Sequence, residues 1–195
     1  RNASNDNNRD FDNTGKIMAF DVIGTAVNTA DPTWNSIPTA LASSHPMDLT
    51  AANSTKTRRF RIKHDDVTNI WTIDDLTWEE VIASGFKRVM ADPALDAVEI
   101  WEFENSSDGW FHPMHMHLVD FQILSRNGKP PFAFELGPKD VVYVGERETV
   151  RVLVHFGPHR GRYMLHCHNL THEDHAMMLQ FRVGLGADEA DPNDP

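Results

Sequence analysis

The sequence predicts an all-β fold, an antiparallel sandwich or barrel. Short segments of strand character recur at close spacing from residue 58 onward, most of them bounded by Gly, Pro, Asn or Asp. Only one stretch, 77–83, reads as helical, because Thr77 is followed three residues later by Glu80 in a capping-box pattern. With 40% hydrophobic residues in 195, the chain has apolar material for one core.

Taken in order, residues 1–14 are rich in Asn and Asp and nearly devoid of branched apolar side chains, so they are expected to stay solvated. Residues 16–23 read as one strand, followed by a long Pro/Ser/Thr/Asn-rich passage over 24–57. An isolated strand cannot bury its own apolar face, so 16–23 is expected to close a preceding domain. Residues 1–56 thus divide into arm, strand and linker. A domain over 57–185 carries strands at 59–63, 70–73, 97–105, 118–126, 140–144, 149–155, 162–167 and 178–183. The acidic stretch 186–195, with two prolines, is expected to be a disordered tail.

Composition excludes several functions. No apolar run approaches the roughly 20 residues a membrane-spanning helix needs. The formal charge of −11, from 18 Lys+Arg against 29 Asp+Glu, repels a phosphate backbone, so nucleic acid is not an expected partner. A single cysteine forbids an intrachain disulfide. The start, Arg1-Asn2-Ala3-Ser4, lacks a charged-then-apolar leader and reads as a processed end or an internal cut in a longer chain.

The 11 histidines are the strongest signal. Six fall in two blocks, His112-Pro113-Met114-His115-Met116-His117 and His166-Cys167-His168-Asn169-Leu170-Thr171-His172, with Met177 five residues further on. On an extended strand side chains alternate faces, so His115 pairs with His117 and His166 with His168 on one side, while Cys167 points to the other. Two sites back to back follow. One gathers four imidazoles; the other gathers Cys167 with His112, His172 and Met177. A thiolate, two imidazoles and a weak thioether form the donor set of a blue-copper electron-transfer centre. Zinc fits less well, since structural zinc takes four strong ligands and carries no electrons. Cys167, flanked by two imidazoles, joins the sites through a few covalent bonds. His45, His64, His155 and His159 have no ligand spacing and are read as packing or surface residues, and His175 as a neighbour of the site; Met114, Met116 and Met178 are read as core.

The two blocks resemble the His-Pro-x-His-x-His and His-Cys-His-x-x-x-His motifs of multicopper oxidases. With His117-Leu118-Val119-Asp120-Phe121, the run continuing through Glu173-Asp174-His175-Ala176-Met177-Met178, Lys139-Asp140-Val141-Val142 and Arg147-Glu148-Thr149-Val150, the chain is most similar to the bilirubin oxidase, spore-coat laccase and phenoxazinone synthase branch over 57–184. The resemblance implies a Greek-key sandwich of cupredoxin type. It makes His112, Cys167, His172 and Met177 type 1 copper ligands, His115 a type 2 ligand, and His117, His166 and His168 type 3 ligands. It also implies that His172 is partly exposed and admits the electron and that Glu173 delivers protons to oxygen; Trp110, two residues before His112, reads as ordinary packing or as part of a substrate rim. The expected activity takes electrons from phenols, aminophenols or tetrapyrroles and reduces dioxygen to water, in a secreted or extracytoplasmic setting. The family completes its trinuclear cluster with two further His-x-His motifs, which this sequence lacks, so an N-terminal cupredoxin polypeptide is the expected partner. A stand-alone blue-copper electron carrier and a cuprous or ferrous ion oxidase are the competing readings.

Overall fold

The computed structural model describes residues 19–21 and 49–192. Residues 19–21, all that is described of the strand expected over 16–23, are exposed and carry no regular secondary structure. The rest of that strand, the arm and most of the linker lie outside the described residues.

Within 49–192, nine strands form two sheets. They are β1 (Lys56–Asp65), β2 (Ile70–Ile73), β3 (Ala97–Asn105), β4 (His112–Met116), β5 (Phe121–Arg126), β6 (Val141–Val144), β7 (Thr149–Phe156), β8 (Gly161–Cys167) and β9 (Met178–Val183). One sheet has the order β2-β1-β3-β7-β5 and the other β6-β4-β8-β9. The eight expected strands are present, and the ninth, β4, is the first histidine block. The strand expected over 118–126 starts only at Phe121, because Leu118 has a φ of 75°, left-handed backbone that interrupts extension. Uniformly antiparallel pairing fails at one place: β1 and β3 run parallel, with Lys56 opposite Glu99 and Ile62 opposite Asn105. Parallel neighbours need a long crossover, and here β2 and the helix α1 (Trp78–Ala83) supply it. That helix has the expected cap, with the Glu80 carboxylate accepting from Thr77 N at 2.7 Å and Thr77 Oγ1 accepting from Glu79 N at 3.3 Å.

Inward alternation builds the core. Trp101 of β3 is fully buried, with Phe60 of β1 at 4.7 Å, Phe156 of β7 at 5.1 Å and Phe181 of the opposite sheet at 5.4 Å between ring centroids. Its indole N–H cannot be left unpaired there; it donates to Glu99 Oε2 at 2.9 Å, and Glu99 is held in turn by Arg58 at 2.7 Å. The acidic tail departs from expectation. Its described part folds back on β8, with Glu189 accepting from Arg160 and Asp191 accepting from the Arg162 backbone N–H, so local charge complementarity holds it down.

A second buried ionic cluster ties β5 to the segments around it. Arg126 donates to both Glu135 oxygens and, at 2.8 Å, to Glu148; Glu135 also accepts from Phe132 N at 3.0 Å and Glu148 from Gly145 N at 2.7 Å. Replacing Arg126 with Met strands two poorly hydrated carboxylates. The expected loss is about 3–5 kcal/mol of folding stability, read as a lowered denaturation midpoint. A loss below about 1 kcal/mol would mean that surface-like screening operates there.

Candidate metal centre

The two functional faces follow from register. In the β4–β8 pair, Met114 lies opposite Cys167, His115 opposite His166 and Met116 opposite Leu165. Antiparallel partners share a face, and alternation along β4 turns His112, Met114 and Met116 into the sandwich with Cys167. His115 and His166 take the other face. Met114 and Met116 are buried to about the last atom and serve as core.

The inward group is completed by a return of the chain. After Cys167, Asn169 caps a short helix, α2 (Leu170–Asp174), with its side chain accepting from Thr171 N at 3.3 Å. The helix carries His172 back over the sulfur. Met177 N donates to His172 O at 3.1 Å and Cys167 N to Met177 O at 3.2 Å, which closes the loop and buries Met177. His112 Nδ1 lies 3.6 Å from Cys167 Sγ, His172 Nδ1 lies 3.7 Å from it, and the two nitrogens are 3.2 Å apart. A point equidistant from three donors so spaced is about 2 Å from each, the length of a metal–imidazole bond. The donor set therefore fits a single ion, and its soft sulfur with two nitrogens favours copper.

Burial sets the protonation states. It lowers His112 to about 3 and, chiefly, His172 to about 4, because a buried imidazolium loses its hydration. It pushes the Cys167 thiol up to about 12 for the corresponding reason. Above pH ~5 both imidazoles are already neutral and cost no proton on binding a metal, whereas the thiol keeps its proton until a cation displaces it. Copper uptake is therefore expected to release one proton, with affinity rising roughly tenfold per pH unit between about pH 6 and 9. A titration followed at the sulfur-to-copper absorption checks this, and a flat pH profile contradicts it.

On the opposite face, His115, His117 and His166 bring one ring nitrogen each to within 4.8 Å of one another. His117 Nε2 lies 3.2 Å from His166 Nε2, and His115 is oriented by a 2.9 Å contact from Nδ1 to Asp140 O. His168, just beyond β8, is exposed; its ring centroid is 5.4 Å from those of His115 and His166, nearly as close as those rings are to each other, but its nitrogens do not join the three that lie within 4.8 Å of one another. Glu173 Oε1 is 3.6 Å from His166 Nδ1.

One expectation needs correction: His172 is not a partly exposed residue. It is 3% exposed, because Trp71 of β2 stacks on it at 4.5 Å and 28°, and Trp110 meets it edge-on at 5.2 Å. Outside these indoles lies a cavity of about 350 Å³ lined in part by His64, Asp66, Trp71, Asp108 and Trp110. Trp110 lines this cavity and is partly exposed. Trp71 and His64 were not legible as site residues, since a Trp in a four-residue strand carries no spacing signal and His64 has no ligand neighbour. His64 Nδ1 lies 2.8 Å from Asp66.

Comparison with known proteins gives a consistent picture. A sequence family described as "Multicopper oxidase" matches residues 38–186. A bilirubin oxidase of Albifimbria verrucaria is 40% identical over 178 residues, covering 89% of this chain and 29% of that protein. A laccase of Bacillus subtilis is 33% identical over 144 residues, covering 60% of this chain and 28% of that protein. Among solved structures, a variant of the McoA multicopper oxidase from Aquifex aeolicus superposes with a TM-score of 0.67 at 34% identity, covering 77% of this chain and 33% of that one. The chain spans less than a third of the length of these two curated relatives.

Proposed function

Because the chain belongs to the multicopper oxidase family, we propose that residues 57–185 are the C-terminal cupredoxin domain of a laccase- or bilirubin oxidase-like enzyme. In this reading the enzyme oxidises a phenolic, aminophenolic or tetrapyrrole donor and reduces dioxygen to water, in an extracytoplasmic setting. No helix among the described residues is long and apolar enough to cross a membrane. The observation that carries the proposal is the placement of two donor groups on opposite faces of one strand pair, joined by Cys167 with His166 and His168 as its covalent neighbours.

His112, Cys167, His172 and Met177 would hold a type 1 copper; His115 would serve a type 2 copper, and His117, His166 and His168 type 3 coppers. Bound copper supplies one-electron redox chemistry at the first group and oxygen chemistry at the second. The remaining imidazoles would come from chain outside these 195 residues, on an N-terminal cupredoxin unit with two His-x-His motifs. The protein's own groups set access and protons. Burial of His112, Cys167 and His172 excludes water and holds the two imidazoles in their neutral donor form, while Cys167 would give up its proton to become a thiolate donor when the metal arrives. Glu173, beside His166, would pass protons toward the second face. His64, held by Asp66 in the donor cavity, would take the proton that a phenol releases as it loses an electron.

A planar donor in the cavity would meet the Trp71 indole rather than the His172 ring behind it, so the electron would enter through Trp71, which is in ring contact with His172. Replacing Trp71 with Leu removes stacking worth about 1 kcal/mol, and the half-saturating concentration of a phenolic donor is expected to rise roughly fivefold. Trp71→Phe is expected to retain most of the affinity. Equal loss in both variants would place the donor elsewhere.

The decisive test is native mass spectrometry with copper quantified on the same sample, for the chain alone and with the N-terminal unit of a relative. A full copper complement and oxygen consumption only in the assembly support the reading. One copper on the chain and no gain in the assembly would leave a stand-alone electron carrier.

A further inference from the structure

A buried polar relay stands behind His112. Asn105, at the end of β3, is 1% exposed, Ser107 2% and His112 0%. The Asn105 amide orientation is fixed by its partners: Nδ2 donates to the backbone carbonyls of Trp110 and Gly145, each at 2.9 Å, which can only accept. Its Oδ1 therefore faces Ser107, accepting from Ser107 N at 3.0 Å and from the Ser107 hydroxyl. With its only proton committed to Asn105, Ser107 Oγ has lone pairs alone to offer the ring nitrogen His112 Nε2, 3.1 Å away. A lone pair there requires a proton on Nε2. A neutral imidazole protonated on Nε2 carries its lone pair on Nδ1, the atom that faces Cys167 Sγ and His172 Nδ1.

We propose that Asn105 and Ser107 are positioning residues that lock His112 in the Nε2–H tautomer and so aim its Nδ1 lone pair into the Cys167–His172 group before any metal arrives. The relay acts on which nitrogen carries the proton, not on whether the ring is charged. Metal-ligating histidines commonly have an outer partner on the other ring nitrogen, often a carboxylate or carbonyl. Here the partner is a hydroxyl, which could donate or accept, and Asn105 removes that freedom. The same amide grips the Trp110 carbonyl, so one side chain fixes both the ligand's tautomer and the backbone of the indole at the cavity rim. The inference rests on the copper reading only for the purpose of the aimed lone pair; the tautomer itself is a property of the metal-free chain.

The test uses the 195-residue chain labelled with nitrogen-15 at histidine. Long-range proton–nitrogen spectra of the metal-free protein report which nitrogen of His112 is protonated, and a copper(I) competition titration reports affinity. The chain is expected to show a single Nε2–H tautomer. Ser107→Ala should give mixed tautomers and bind copper roughly 10–100-fold more weakly, with Ser107→Thr restoring both. Where Ser107→Ala does not fold, Ser107→Cys, a weak acceptor of similar size, carries the same comparison. An Nδ1–H form in the unmodified chain, or an unchanged Nε2–H form once the hydroxyl is gone, overturns the relay. A chain with the expected tautomer that takes up no copper instead overturns the copper reading and leaves the relay standing.

Discussion

Replacing Cys167 with Ser is expected to abolish the blue colour and donor oxidation together while leaving the sandwich folded. The side chain is fully buried and swaps sulfur for oxygen at nearly the same volume, so packing against Met114 and the β4–β8 register survives. An unpartnered buried hydroxyl costs about 1–3 kcal/mol, less than a domain's usual stability. The backbone bond from residue 167 to Met177 O is independent of the side chain. What disappears is the soft, polarisable donor. A serine hydroxyl does not ionise under these conditions, so no sulfur-to-copper charge transfer remains, and two imidazoles alone no longer favour the one-electron couple. The measurement is visible absorption and copper per chain on folded protein. Persistent blue colour in Cys167→Ser would remove this cysteine from the centre altogether.

Much of this site could be read before any coordinates because strand alternation is a covalent property. Once β4 and β8 are extended and antiparallel, the residue parity of His112, His115, Cys167 and His166 decides which face each serves. The capping box at Thr77 is local for the same reason, since both partners lie within one helical turn. What stayed hidden depends on contacts between distant segments. Trp71 reaches His172 only because β2 is folded beside β1 at the edge of its sheet and α2 returns over Cys167, a coincidence of positions about a hundred residues apart with no trace in local pattern. The burial of His172 is therefore a tertiary fact that a family resemblance misjudged. The parallel β1–β3 pair is hidden likewise, because a strand's apolar pattern does not state the direction of its neighbour. Asn105 closes β3, and nothing in its local pattern or in that of Ser107 points to His112; their role depends on where the chain leaves β6, at Gly145.

His166→Ala separates the two faces. The residue is 5% exposed and faces away from Cys167, opposite His115 in register and 3.2 Å from His117 between Nε2 atoms. The three inward donors belong to a different set of side chains and keep their mutual distances. In the assembled enzyme, colour is therefore expected to persist and a phenolic donor is expected to bleach it in the absence of oxygen. Air should then fail to restore the colour, with oxygen consumption falling by more than the 10–100-fold that removal of an outer partner typically costs. Because residue 166 adjoins Cys167, a loss of colour alone could reflect local backbone disturbance. His117→Ala provides the control: it lies beyond β4, touches the same group, and has no covalent link to the cysteine. Both variants should bleach and stay bleached. If either regains its colour in air at the unmodified rate, the outward imidazoles do not serve oxygen reduction. If His117→Ala is colourless from the start, the two faces form one site and the division drawn from strand parity fails.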